Sequence, residues 1–357
     1  MRIKRSIPIV LGVVVIAAAV TLIVQLRKHA PPEPARLLPS ADAFLYVNLR
    51  WVRTLNAGGE LPPVSHDLEY EQFIQETGFQ FERDLDEAAV AMHSPPASQD
   101  KAGQPRFSEV VVGKIQGDRL TAYLHKLASS VDNYGTKDIY NIPYEGRTVR
   151  VCILGVDKVA VSNSDDPTVI RGIIDRSRRL ASPFRGPAFL RQYYKHVPIA
   201  SLAWVIARVD PDRGLLVGNS GLLFPKPAVL VVSARHFRAL HLKAEAFTAS
   251  TDDAQAIADR TSTFLSVFHA AESSLTNQGT DADVRTFFES LKVEQQKDRA
   301  ILTATIPPGF IRKVLTEAPS VLTPTSPGQK QTPEGPPGAK AGPSQKKRSK
   351  SVQQERR

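Results

Sequence analysis

An imidazole beside a carboxylate can serve as an oriented general base, and His66-Asp67 is such a pair. The pair needs a nucleophile, and none can be named with it, so it is read as a loop histidine. His236 and His241 are separated by an odd spacing that would send them to opposite faces of a strand, and no His-Glu-x-x-His exists. Gly218-Asn-Ser-Gly221 lacks the Gly-x-Ser-x-Gly spacing of a nucleophile elbow. Ser130-Val-Asp-Asn133 with Lys137 nearby has the look of a serine acyl-transfer site, yet Ser129, Ser130 and Ser182 have no lysine three residues later. That stretch is read as a polar turn. Asp165-Asp166 and Asp252-Asp253 look like metal pairs. They precede helical patterns, where carboxylates meet free backbone N–H groups and the positive end of the helix dipole, so they are read as caps. Cys152 is the one cysteine, so no internal disulfide can form. It lies in the strand-like run Arg147–Leu154 and is read as a buried, inert thiol. No phosphate-cradling glycine loop occurs. The expectation is therefore no catalytic residue, no cofactor and no metal.

The element that governs where any chemistry could happen is Ile7–Leu26, twenty residues without a charge. At about 1.5 Å per residue it spans roughly 30 Å, the hydrocarbon thickness of a bilayer. A cleaved signal is disfavoured because Lys28 would occupy a small-residue position and Pro31 would follow the cut. The reading is an uncleaved signal anchor. Arg2, Lys4 and Arg5 precede the run, and Arg27 and Lys28 follow it. The more basic N-terminal flank puts the N-terminus in the cytoplasm and the body in the periplasm or outside.

The net charge of +10 suggests a nucleic-acid partner until it is mapped. Residues 1–30 carry five Lys/Arg and no acid, and residues 318–357 carry eight Lys/Arg against two Glu. The body between them is close to neutral, which is not how a nucleic-acid-binding domain distributes its charge. The basic tail is rich in proline and glycine, poor in large apolar residues, and expected to be disordered. Its Lys346, Lys347, Arg348, Lys350, Arg356 and Arg357 are candidate contacts of an electrostatic tether to anionic headgroups or an anionic envelope polymer.

Between the ends, the patterns predict an α+β body of antiparallel sheets packed with helices, in two lobes. Residues 1–29 hold the anchor, 30–36 a stiff proline spacer, 37–198 the first lobe, 199–317 the second and 318–357 the tail. Strands are expected at 43–52, 107–115, 148–154, 158–163, 199–209, 228–235, 239–250, 292–296 and 300–306. Helices are expected at 68–77, 79–92, 118–130, 167–178, 188–196, 252–275, 283–291 and 309–317. In the helix over 252–275, Phe264, Leu265 and Phe268 fall on the apolar face and are expected to bury against the sheet. The two lobes run through similar elements, without a residue-level repeat.

Three runs carry a resemblance: Leu37-Leu-Pro-Ser-Ala-Asp-Ala-Phe-Leu-Tyr-Val-Asn-Leu49, Gly146–Asn163 with the helix after it, and Thr251–Ala258 followed by Leu291–Pro307. In layout the chain resembles an uncharacterised class of signal-anchored exported bacterial proteins. The resemblance implies membrane tethering and a body of unknown function, with no site residues to carry over. Together these readings point to a non-enzymatic binding or scaffold protein of the cell envelope, with an envelope protein or polymer as partner. A lipid or apolar-ligand module and an unrecognised hydrolase are the alternatives.

Overall fold

The structure, a computed structural model, describes residues 30–55, 66–93, 106–178, 186–211, 220–275 and 282–310. The anchor run, the tail with its six basic candidates, and Gly218 with Asn219 lie outside the described residues. No described helix is long and apolar enough to cross a membrane.

The first half of the chain supplies α1 (Glu33–Leu37), β1 (Ala43–Asn48), α2 (Leu49–Leu55), α3 (Leu68–Thr77), α4 (Phe81–Asp84), β2 (Leu85–His93) and β3 (Arg106–Gly113). It continues with α5 (Gly117–Leu127), β4 (Ser130–Tyr134), β5 (Lys137–Tyr144), β6 (Arg147–Ile153), β7 (Lys158–Ser162) and α6 (Thr168–Arg178). The second half supplies α7 (Ala188–Tyr194), β8 (Ala203–Val209), α8 (Ser220–Leu223), β9 (Ala228–Phe237), β10 (Ala239–Phe247), α9 (Thr251–Leu275), α10 (Ala282–Ser290), β11 (Lys292–Gln296) and β12 (Arg299–Ile306).

Among the described residues twelve strands form one sheet, in the order β11-β12-β10-β9-β8-β1-β2-β3-β7-β6-β5-β4, and every pairing is antiparallel. The strands expected in two lobes are thus two unbroken blocks of a single sheet. They meet where β1 pairs with β8, Leu45 opposite Val205. The same order recurs in each block: β1-β2-β3-β7-β6 in one and β8-β9-β10-β12-β11 in the other, with β5 and β4 added outside β6. In both blocks a helix follows the third strand, α5 after β3 and α9 after β10.

Alternation along each strand separates two faces. One face carries Phe44, Tyr46, Ala89, Ala91, Val110, Cys152, Ala160, Trp204, Ile206 and Val231, buried under Leu37 and Leu38, under Ile170, Ile173 and Ile174 of α6, and under Leu190 of α7. On the opposite face α5 seals Tyr140, Val151 and Val159 with Leu124, and α9 seals Ala228, Ala246 and Ala300 with Ile257 and Ala258. Between those two helices Leu45, Val47, Val90, Val205, Leu230 and Val232 form an aliphatic strip of half-buried side chains.

Several expectations change. Residues 85–93 form β2 rather than the end of a helix, at the centre of the sheet with Ala89 and Ala91 fully covered. A central strand under two helices needs small side chains, and packing overrides the helix preference of its alanines and acids. The polar turn at 130–137 is a β-hairpin, β4–β5, closed by Gly135 and Thr136 with φ of 55° and 68°. Both positive values suit a type I′ turn. The strand starting at 43 ends at Asn48, where α2 begins. The proline spacer contributes a helical turn, α1, whose Pro34, Ala35 and Leu37 are buried; a proline at its start has the φ a helix requires. Phe264 is exposed, 57%, and does not bury against the sheet. The buried side chains described on α9, Ala254, Ile257 and Ala258, all lie in its first two turns, so its close packing on the sheet is confined to its start.

Candidate functional site

The candidate site is an open cleft of about 860 Å³ on the face that carries α7. Its floor comes from the ends of β8, β9, β10 and β12, its wall from the last turn of α7 and the residues after it, and its rim from Asp42, just before β1. Alternation places Arg208, Val229, Phe247 and Arg299 on the same face in four neighbouring strands, with Arg208 opposite Val229 and Phe247 opposite Arg299. Helix α7 is short because Pro187 starts it and Pro198 follows its end, and this leaves Tyr193 and His196 leaning over the strand ends.

Aromatic contacts organise the interior. The Phe247 ring meets Tyr193 at 5.4 Å and His196 at 4.5 Å between centroids, and Tyr193 meets Phe189 at 5.3 Å. A guanidinium caps each end of this row. Arg208 lies 4.2 Å over the Phe189 ring and donates to Asp42 at 3.0 Å. Arg299 lies 5.6 Å over Phe247 and donates to Glu245 at 3.2 Å. Stacked on a ring and held by a carboxylate, each guanidinium is fixed in direction. Glu245 is only 2% exposed and also takes Lys243 at 3.1 Å, so the buried carboxylate has two cationic partners. Burial holds the His196 imidazole below its ordinary pKa, against the pull of Glu245 and with help from Lys195, Arg299 and Lys243. At neutral pH it is a neutral ring with one donor and one acceptor. Three cations (Lys195, Arg208, Arg299) and three carboxylates (Asp42, Asp210, Asp298) line the cleft, so its lining is electrically balanced.

The residues singled out from the sequence lie elsewhere. His66 sits between two carboxylates, Nε2 to Glu82 at 2.6 Å and Nδ1 to Glu71 at 3.2 Å, and Tyr70 donates its hydroxyl to Glu82 at 2.6 Å. The bond to Glu82 raises the His66 pKa. Burial works against Glu82 ionising, yet bonds from Tyr70, Gln80 and His66 outweigh it and hold the carboxyl at about 2. Among the described residues this is an ion network without a serine, threonine or cysteine, its one hydroxyl, that of Tyr70, is spent on Glu82, and Asp67 caps α3 by accepting from the Tyr70 N–H at 2.8 Å. His236 and His241 do fall on opposite faces of the sheet, and His241 shares a 3.2 Å hydrogen bond with Thr305. Asp166 accepts from the Thr168 N–H and hydroxyl, and Asp165 pairs with Arg106 at 2.5 Å. Asp253 pairs with Lys226 at 2.9 Å, and Ser250 accepts its N–H. Ser130 and Asp132 accept from Asn141 inside the β4–β5 ladder. Cys152 is fully buried, and burial pushes its thiol up to about 11. Among the described residues no three His, Cys, Asp or Glu side chains gather as a metal site.

Sequence reasoning missed the cleft because its parts come from six separated stretches, around 42, 193, 208, 228, 247 and 298. The one local signal is Tyr193-Tyr194-Lys195-His196-Val197-Pro198, aromatic and basic residues crowded just before a proline and a strand.

No protein-family model matches this sequence, and no curated protein matches it. Among solved structures, crystal form III of TP0453 aligns at 11% identity and a TM-score of 0.42, covering 80% of this chain and 99% of that one. Crystal form IV of TP0453 aligns at 11% identity and a TM-score of 0.40, covering 80% and 97%.

Proposed function

We propose that this chain is a membrane-tethered binding protein of the bacterial cell envelope that uses the cleft beside α7 to hold its ligand. In this reading residues 7–26 cross the inner membrane with the N-terminus in the cytoplasm, and the body works outside. Lys346, Lys347, Arg348, Lys350, Arg356 and Arg357 then lie where anionic headgroups or envelope polymers can meet them. The observation that carries the reading is the cleft itself: fixed guanidiniums, a neutral imidazole and clustered rings make a prepared recognition surface. Its chemistry favours holding over reacting. His196 leans on a phenyl ring, and the nearby Thr248 hydroxyl is committed to the carbonyls of Asp298 and Ser250. A second reading, an apolar ligand, is favoured by the aliphatic strip between α5 and α9.

Two measurements test the proposal. Val156 is 90% exposed and Cys152 is fully buried, so a Val156→Cys chain has one accessible thiol. A membrane-impermeant maleimide should label it in spheroplasts; labelling only after lysis would reverse the orientation. Full-length protein in a sugar-free detergent should also co-sediment with washed envelope material in a manner that Tyr193→Ala weakens. Equal sedimentation of the two would remove the cleft from the function.

A further inference from the structure

The cleft's chemistry narrows what it can hold, if it is a binding site as proposed above. One way an extended peptide docks is by adding a strand to a sheet edge. Strands β8, β9, β10 and β12 are each paired on both sides, so no free edge reaches the cleft. An amphipathic helix needs an apolar groove. Here charged side chains from three directions, Lys195 on the wall, Asp298 at the rim and Arg208 on the floor, interrupt the apolar surface. A nucleic acid needs a basic excess, and this lining is balanced.

What remains fits a molecule that carries many hydroxyls on rings with C–H faces. Tyr193, Phe247 and His196 offer ring surfaces against which such faces can pack without charge. Around them stand planar polar groups of the kind that bond hydroxyls: the guanidiniums of Arg208 and Arg299, and the carboxylate of Asp298. The neutral His196 both donates and accepts. At about 860 Å³ the cleft is near the upper end of ordinary ligand sites, roughly 300–1,000 Å³, and it is open along one side, as a chain longer than the site requires. We infer that the cleft between α7 and the ends of β8, β9, β10 and β12 binds a linear oligosaccharide segment of an envelope glycan. The sugar rings pack against Tyr193, and their hydroxyls bond to Arg208, Arg299 and Asp298.

The test uses the full-length chain in a sugar-free detergent, because a maltoside would compete. It is titrated calorimetrically with a neutral β-1,4-linked N-acetylglucosamine hexasaccharide, with an oligogalacturonate of equal length, and with an extended peptide of alternating charge. The expected result is binding of at least one oligosaccharide that persists at about 1 M salt, where charge attraction is screened to about 3 Å. Asp298→Asn, which keeps the shape and the backbone bond to Thr248, should weaken it roughly tenfold, the share of one hydrogen bond to a charged group. Tyr193→Ala should weaken it at least as much. If neither oligosaccharide binds, or if both variants bind like the wild type, the assignment fails. If only the peptide binds and the same two substitutions abolish that, the cleft remains a binding site and its ligand is a polypeptide. If envelope co-sedimentation is also indifferent to Tyr193→Ala, the binding reading fails with it.

Discussion

Helix α9 offers a test of how this fold is held, because two apolar residues two turns apart occupy opposite situations. Ile257 is 4% exposed and packs among Ala228, Ala246, Ala258 and Ala300. Phe264 is 57% exposed. Truncating Ile257 to alanine removes three carbons, about 2.4 kcal/mol of transfer free energy at about 0.8 kcal/mol per methylene. The surrounding alanines have no side-chain length with which to collapse into the space, and only Phe224 and Val293, packed against the same cluster, can lean in, so a cavity contribution adds to this and the total should reach about 3–4 kcal/mol. Phe264→Ala forfeits only the covered, smaller share of its ring and gains some helix propensity, so its cost should be well below that of Ile257→Ala. Urea unfolding followed by the fluorescence of Trp204, which is 1% exposed between Tyr46 and Tyr194, reads both changes as midpoint shifts at constant slope. A Phe264→Ala shift as large as that of Ile257→Ala would show that the packed face of α9 has been misidentified.

Three further outcomes are expected. The raised His66 pKa means that the folded state holds the proton more tightly than the unfolded chain. That stabilisation is complete below about pH 6.5 and fades as pH rises through the folded value. Glu82 works the other way, contributing above its ordinary 4.5 and losing the contribution as pH falls toward about 2. The midpoint gap between wild type and His66→Gln should therefore be widest near pH 5–6 and close at higher pH; a gap that widens from pH 6 to 8 would refute the network. Glu245→Ala removes the buried carboxylate that Arg299 and Lys243 share, and because both cations keep access to water it should cost about 1–2 kcal/mol in thermal or urea unfolding, whereas a neutral effect would mean the ion pairs carry nothing. Cys152 should resist a soluble thiol reagent at pH 8 in the folded protein and react at once in denaturant; rapid native labelling would contradict its burial.

Much of the architecture was legible because local chemistry and fold agreed. The hairpin around Gly155-Val156-Asp157 and that around Lys297-Asp298, with Lys297 at φ 56°, follow from polar turn residues between alternating apolar runs. Helix α6 shows its buried Ile170, Ile173 and Ile174 at helical spacing. What escaped was set by distant partners. Strand β2 reads as helix because Glu87, Ala88, Ala89 and Ala91 favour one, and only the helices packed over it explain the alanines. Hairpin β4–β5 reads as a turn because its residues are polar, and at the margin of the sheet polarity is tolerated. The pairing of β1 with β8 leaves no local trace, since both are apolar runs that could pair with many others. The cleft escaped for the same reason: its charges and rings are unremarkable one by one, and only the strand order brings them together.

The order of the strands also decides how the molecule would carry a load. The chain enters the sheet at the start of β1, in the middle, and leaves it at the end of β12, next to one margin. Between them lie β8, β9 and β10, and because each neighbour is antiparallel, β1 and β12 run in the same direction. A pull on the two ends of the described body is therefore applied at opposite ends of parallel-running strands. It slides strands past one another along their length instead of peeling one away. In sliding, all the hydrogen bonds of a pair share the force and must yield together, whereas in peeling they yield one at a time. Strands β2 to β7 lie off the path from β1 to β12 and are loaded only through α1, whose Glu33 meets Lys158 of β7.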